Sequence, residues 1–186
     1  MNRKMFAKPL VFLCSLVFYI RIKIRPISDI EGFPRVKGWV RILGKGSIKI
    51  GSGFACNSGQ RFNPIGGDNL CQLVVRDGAV LAVGDNVGMS NVTIVCWTQV
   101  SIGDGVMLGG SVKIYDTDFH PLGADERQCS PQERSLIKSE AVVIKDRAFI
   151  GAHSIILKGV SIGLESLIGA GSRVRSNVAD KKTFYN

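Results

Sequence analysis

From residue 144 onward an aliphatic side chain falls on every sixth position without a miss: Ile144, Ile150, Ile156, Ile162, Ile168 and Val174. Four residues after each comes a small or β-branched residue, at Ala148, Ser154, Val160, Ser166, Ser172 and Val178. A helix places apolar residues three and four apart, and a plain strand two apart. Strict sixes fit short strands joined by corners, with each hexad forming one flat side of a coil. Stacked coils of that kind bury a continuous aliphatic column, as in a parallel β-helix. Glycine follows the aliphatic in "IG" at 150, 162 and 168, where a Cβ would obstruct the corner. The same beat runs through Ile102, Leu108 and Ile114, and it is audible in "VGDNVG" from Val83 and "IGSG" from Ile50. The fold class is therefore all-β.

A chain of 186 residues with 45% hydrophobic and 21% charged residues suits one globular domain. Its net charge of +9 calls for an anionic partner. Nucleic acid is not that partner: there is no Cys/His finger spacing and no aromatic-rich RNA-binding signature. A phosphate-bearing cofactor or an anionic membrane explains the charge better. Five cysteines (Cys14, Cys56, Cys71, Cys96 and Cys129) are odd in number and never form a C-x-x-C pair. That argues against a disulfide framework and a zinc site, and for a reducing compartment, hence the cytoplasm.

Residues 1–30 form a separate apolar segment ahead of a β-helix domain at 31–186. Pro9 to Ile20 are apolar or nearly so, with Arg3, Lys4 and Lys8 before them and "RIKIR" after. A spanning helix needs roughly 18 such residues, so the run is too short to cross a bilayer, and no small-x-small cleavage site follows. Two readings stay open. One is a short helix packed over the end of the fold or on a neighbouring subunit. The other is an anchor, residues 1–25, on the inner face of the membrane, with cationic flanks meeting anionic headgroups. "RIKIR" itself alternates with period two, which suits a strand with one wet face.

The beat stops after Ile114 and resumes at Ile144, leaving an excursion over residues 115–143 that opens with "YDTDFHPL". A break this long in a compact domain is functional or disordered. It holds His120, one of only two histidines. An imidazole near neutral pKa takes a proton from a hydroxyl or amine when something orients its ring, and Asp116 and Asp118 are candidates for that. On local chemistry alone, a surface histidine beside a proline fits as well.

The segments "IGDGVMLGGSVKIYDTDFHPL" and "VVIKDRAFIGAHSIILKGVSIGLESLIGAGSRV" resemble the hexapeptide-repeat acyltransferases, most clearly the galactoside, maltose and related sugar O-acetyltransferases. The resemblance implies a left-handed parallel β-helix of triangular section with an extended loop, assembled as a homotrimer. It implies that acetyl-CoA is the co-substrate and that His120, on the loop, is the general base, with Asp118 beside it in the catalytic group. Asn91, in "NVTIV", would position the acceptor, with Asp116 also on the acceptor side. Phe149 stands for an aromatic that flanks the pantetheine arm. Gly151, Ala152, Ala170 and Gly171 fall where backbone amides meet the cofactor, and Lys158, Arg173 and Arg175 would hold its phosphates. His153 reads as structural or as lining the cofactor groove. Trp97, in "CWTQ", departs from the sugar acetyltransferase pattern, in which acidic residues follow "TIV". That departure and the apolar N-terminus point to kinship with acetyltransferases of capsule, exopolysaccharide or lipopolysaccharide assembly.

Three alternatives compete with this reading. A γ-carbonic anhydrase-type metal enzyme needs three histidine ligands, which two histidines do not supply. A non-catalytic assembly module leaves the "DTDFHP" loop without purpose. N-acetylation of an amino-sugar nucleotide uses the same base chemistry as O-acetylation. No cysteine sits where a covalent intermediate is expected, so the expected mechanism is direct transfer to the acceptor.

Overall fold

The protein was analysed as a computed structural model that describes residues 7–67, 69–128 and 136–186. Arg3, Lys4 and Cys129 lie outside the described residues, as does the central part of the 115–143 excursion. The strands form three parallel sheets that are the faces of a triangular left-handed β-helix. Face A carries Asp29–Ile30, Ser47–Ile50, Val80–Val83, Gln99–Ile102, Val142–Ile144 and Ser161–Ile162. Face B runs from Arg35–Lys37 through Phe149–Ile150 and Leu167–Ile168 to Thr183–Phe184, and face C from Arg41–Leu43 to Arg173–Val174.

The hexad aliphatics become three vertical columns. On face A, Ile30, Ile50, Val83, Ile102, Ile144 and Ile162 stack in register. On face C, Ile42, Leu73, Ile94, Ile114, Ile156 and Val174 do the same. Ile144, Ile150, Ile156, Ile162, Ile168 and Val174 are all fully or almost fully buried, and Ala148, Ser154, Val160, Ser166, Ser172 and Val178 fill the corners beside them. Each buried aliphatic contributes about 1.5–3 kcal/mol through the apolar surface it removes from water. The reading of the repeats therefore holds residue by residue.

The corners show a division of labour that the repeat alone does not reveal. The glycine of "IG" is needed for close approach: a Cβ on Gly151 would lie 2.5 Å from the backbone nitrogen of Ala170 in the next coil. The left-handed backbone falls two residues later, at Asn91, Ser111, His153 and Gly171 on the B/C edge and at Asn86, Gly105, Arg147 and Glu165 on the A/B edge. His153 is one of these corner residues, its amide donating to the Gly110 carbonyl at 2.8 Å.

The N-terminal helix α1 (Ala7–Lys23) closes the first coil. Cys14, Ser15, Phe18 and Ile22 form its buried stripe, and Phe18 stacks on Phe54 with ring centroids 5.6 Å apart. The first coil presents an unpaired edge, which α1 satisfies with side chains. Ser15 Oγ accepts from the Val36 amide at 2.9 Å, Arg21 donates to the Val40 and Ile42 carbonyls, and Arg25 donates to those of Gly44 and Gly46. The alternation of "RIKIR" is not a strand: Arg21–Lys23 are the last helical turn, because both arginines have carbonyls of the coil edge to reach. Among the described residues no helix is long and apolar enough to cross a membrane.

Candidate active site

The loop leaves the prism at the C/A edge through a two-stranded neck. Thr117 and Ser139 bridge antiparallel, their hydroxyls 3.0 Å apart. The Asp118 amide donates to the Lys138 carbonyl, and the Glu140 amide to that of Asp116. Asp116 nails the base of this neck to the coil below. Its carboxylate is fully buried and accepts hydrogen bonds from the amides of Trp97, Thr98 and Gln99 at 2.7–2.9 Å and from Thr98 Oγ1 at 3.0 Å. Both oxygens of Asp116, a residue expected on the acceptor side, thus serve the corner.

Beyond the neck, Phe119 takes a left-handed backbone (φ 65°) and His120 follows it, exposed. The His120 ring makes no hydrogen bond among the described residues. Asp118 makes no hydrogen bond to it among the described residues: its Oδ2 is buried without a hydrogen bond and faces Lys158 Nζ at 3.6 Å. Lys158 also reaches Glu140 Oε1 at 3.5 Å, so one ammonium spans both arms of the neck. Lys158, expected at a phosphate, thus sits between these two carboxylates.

Beside His120 lies a group that the repeat pattern does not announce. Phe119 packs edge-on against Trp97 and Tyr115, with centroids 6.1 and 5.1 Å away, and the Arg76 guanidinium sits over the Trp97 ring at 4.8 Å. Burial pushes the Tyr115 hydroxyl up from its ordinary value. The only trace of this group in the sequence is the oddity of Trp97 after "TIV". Cys96 lies beneath it, buried; desolvation first, and then the charge of Asp116, pushes its thiol to about 12, so it stays protonated.

Asn91 is elsewhere. It sits at a B/C corner with φ 50° and is almost fully buried. Its Oδ1 accepts from the Gly59 amide at 2.7 Å and its Nδ2 donates to the Asn63 carbonyl at 3.0 Å. It pins a second excursion, between Ala55–Asn57 and Gln72–Val75, that contains the 3-10 turn Pro64–Gly66. Gly66 presses on Asn91 so closely that a Cβ there would lie 2.3 Å from Nδ2. Asn91, expected to position the acceptor, thus uses both ends of its amide on this loop.

The remaining cofactor candidates split over the prism. Gly151, Ala152, Ala170 and Gly171 stack on the B/C edge, where the Gly171 amide donates to the Ala152 carbonyl at 2.8 Å. Phe149 is exposed on face B, in an apolar row with Met107 and Leu167. Arg173 and Arg175 are exposed, and neither enters an ion pair among the described residues. His120 on the C/A edge and the glycine–alanine row on the B/C edge are thus on different edges of one chain.

Residues 141–175 match the family model described as the hexapeptide repeat of succinyl-transferase. The galactoside O-acetyltransferase of Lactococcus lactis is 39% identical over 90 residues, 48% of this chain and 41% of that protein. The putative lipopolysaccharide biosynthesis O-acetyl transferase WbbJ of Escherichia coli is 27% identical over 143 residues, 75% and 67% of the two chains. The chain thus spans between two fifths and two thirds of these relatives. Among solved structures, AntD, an N-acyltransferase from Bacillus cereus in complex with dTDP and coenzyme A, matches with a TM-score of 0.62 at 19% identity, over 88% of this chain and 82% of that one. By its repeats and its fold, the chain is a left-handed β-helix, and it is similar to acetyltransferases that carry hexapeptide repeats.

Proposed function

We propose that this chain transfers the acetyl group of acetyl-CoA to a hydroxyl of a sugar or surface-polysaccharide precursor. The observation that carries the reading is His120: an exposed imidazole, without a hydrogen bond among the described residues, held beyond a neck that is tied down on both arms. The names of the two relatives support the reaction class and an acceptor of this kind.

His120 takes the proton of the acceptor hydroxyl as its oxygen attacks the thioester carbonyl carbon. The tetrahedral intermediate then collapses with loss of the C–S bond, and the imidazolium returns its proton to the departing coenzyme thiolate. Backbone amides of the glycine–alanine row stabilise the developing oxyanion, and Arg173 and Arg175 meet the phosphates of the co-substrate. The protonated, buried Cys96 thiol speaks against a covalent route. Base and cofactor row occupy different edges of a single chain, which favours a homotrimer that joins the C/A edge of one copy to the B/C edge of the next. The exposed apolar row Met107, Phe149 and Leu167 suits such packing.

The test is acetyl-CoA consumption against a panel of neutral sugars, acidic sugars, amino-sugar nucleotides and oligosaccharides. Turnover above hydrolysis with a hydroxyl acceptor is expected. Turnover with amino-sugar nucleotides alone would move the reading to N-transfer, and no turnover with any of them would sink it.

A further inference from the structure

The net charge of this protein resides at one end. Residues 1–50 hold eleven lysines and arginines against two acidic residues, while residues 51–186 hold thirteen of each. The whole surplus of +9 thus belongs to residues 1–50, which include α1 and the first coil. A co-substrate held on the later coils does not need it.

The same end carries an exposed apolar surface among the described residues. A surface helix ordinarily turns polar residues outward. Helix α1 is apolar on both sides: its inward stripe closes the β-helix, and Phe12, Leu13 and Ile20 point outward, 46–59% exposed, with Ile24 just past its end 74% exposed. Between the helix and the Arg35–Lys37 strand runs a groove of about 520 Å³, with Phe12, Phe33 and Pro34 in its walls and Lys8, Arg35 and Lys37 around it.

Charge decides the occupant. A second copy would bring its own surplus of nine positive charges to the contact, and like charges brought together oppose association. An anionic bilayer supplies hydrocarbon for the apolar side and phosphates for the cationic rim. The helix, at 17 residues, is too short to span and long enough to lie at headgroup depth. We propose that the N-terminal end is a docking surface for an anionic phospholipid bilayer, with the outward side of α1 immersed at the interface and Lys8, Arg35 and Lys37 meeting headgroup phosphates. This assignment is independent of the acetyl-transfer reading.

The experiment is co-sedimentation of the full chain with vesicles of phosphatidylglycerol and, separately, of phosphatidylcholine. Binding to the first, little to the second, and weakening as salt rises from about 0.05 to about 0.5 M are expected, since exposed charges are screened. Lys8→Glu/Arg35→Glu/Lys37→Glu weakens binding by about tenfold or more. Leu13→Asp/Ile20→Asp weakens it at low and high salt alike. Should the triple variant not fold, Lys8→Glu alone tests the same point, because an acidic residue near a helix N-terminus is compatible with the helix dipole. Absence of binding to phosphatidylglycerol at low salt overturns the proposal, as does full binding by a folded charge variant. A smaller assembly in Leu13→Asp/Ile20→Asp without vesicles also overturns it, since the apolar side would then be a contact between copies.

Discussion

Two excursions leave the same prism, and they are held in different ways. The one between Asn57 and Gln72 is stitched down along its length. Asn91 ties it at Gly59 and Asn63, Ser111 Oγ donates to the Gly66 carbonyl, and Ser58 Oγ accepts from the Cys71 amide. Asn91, Ser111 and Ser58 are all buried. The one between Tyr115 and Val142 is tied at its neck, by Asp116 below and by Lys158 across, and beyond the neck it presents His120 to solvent. A loop whose polar groups are consumed by the fold has none left for a ligand. A loop whose ties among the described residues lie at its root offers a placed side chain with free valences, which general acid–base chemistry requires.

The largest effect should separate chemistry from stability. His120→Ala is expected to lower acetyl transfer by roughly 10²–10⁴-fold with an unchanged melting temperature. Near-normal turnover in that variant would put the two excursions on the same footing. Asp116→Asn should act on the neck itself: an amide cannot accept all four hydrogen bonds, and its NH₂ faces backbone donors. A loss of about 3 kcal/mol in denaturant unfolding is expected, together with loss of turnover; a stable, active variant would show that the neck needs no anchor.

Asn91→Ala tests the other loop. It orphans the Gly59 amide and the Asn63 carbonyl, and places alanine at a positive φ, for a cost of about 1–3 kcal/mol. The remaining folded enzyme should keep its turnover per molecule. A kcat falling far more than the folded fraction would return Asn91 to the site. The smallest effect is expected far from both loops, at the Arg147–Glu165 pair. Its hydrogen bond with Arg147 holds the Glu165 carboxyl below its ordinary 4.5, so whatever the pair contributes is present at neutral pH and fades as pH falls through that lowered value. Being exposed and screened, Glu165→Gln should leave the melting curve unchanged at pH 7, and a clear shift would mean that surface pairs matter here as much as the anchored carboxylate does.

The columns were legible because each hexad repeats one physical demand, an aliphatic facing inward once per flat side, so six aligned isoleucines and valines carry the fold between them. The excursion at 115–143 was legible as the place where that demand lapses. The shorter excursion was not, because in the early coils the spacing is already uneven and Ile50 passes to Val83 without a counted beat. The corner contacts of Asp116 and Asn91 were not legible, for one shared reason. A buried carboxylate or amide is recognised by which backbone donors surround it, and those donors come from other coils, Trp97 to Gln99 in one case and Gly59 in the other.

By itself, then, the sequence determined the coil, its three inward columns, the break in them and the histidine in the break, since each of these is a matter of periodic burial. Only the tertiary structure decided which polar groups are left over. It spent Asp116 on a corner and Lys158 on the neck, closed the first coil with α1, and set His120 and the glycine–alanine row on separate edges. Hydrogen-bond satisfaction is settled between residues that meet across coils, and spacing along the chain does not encode those meetings.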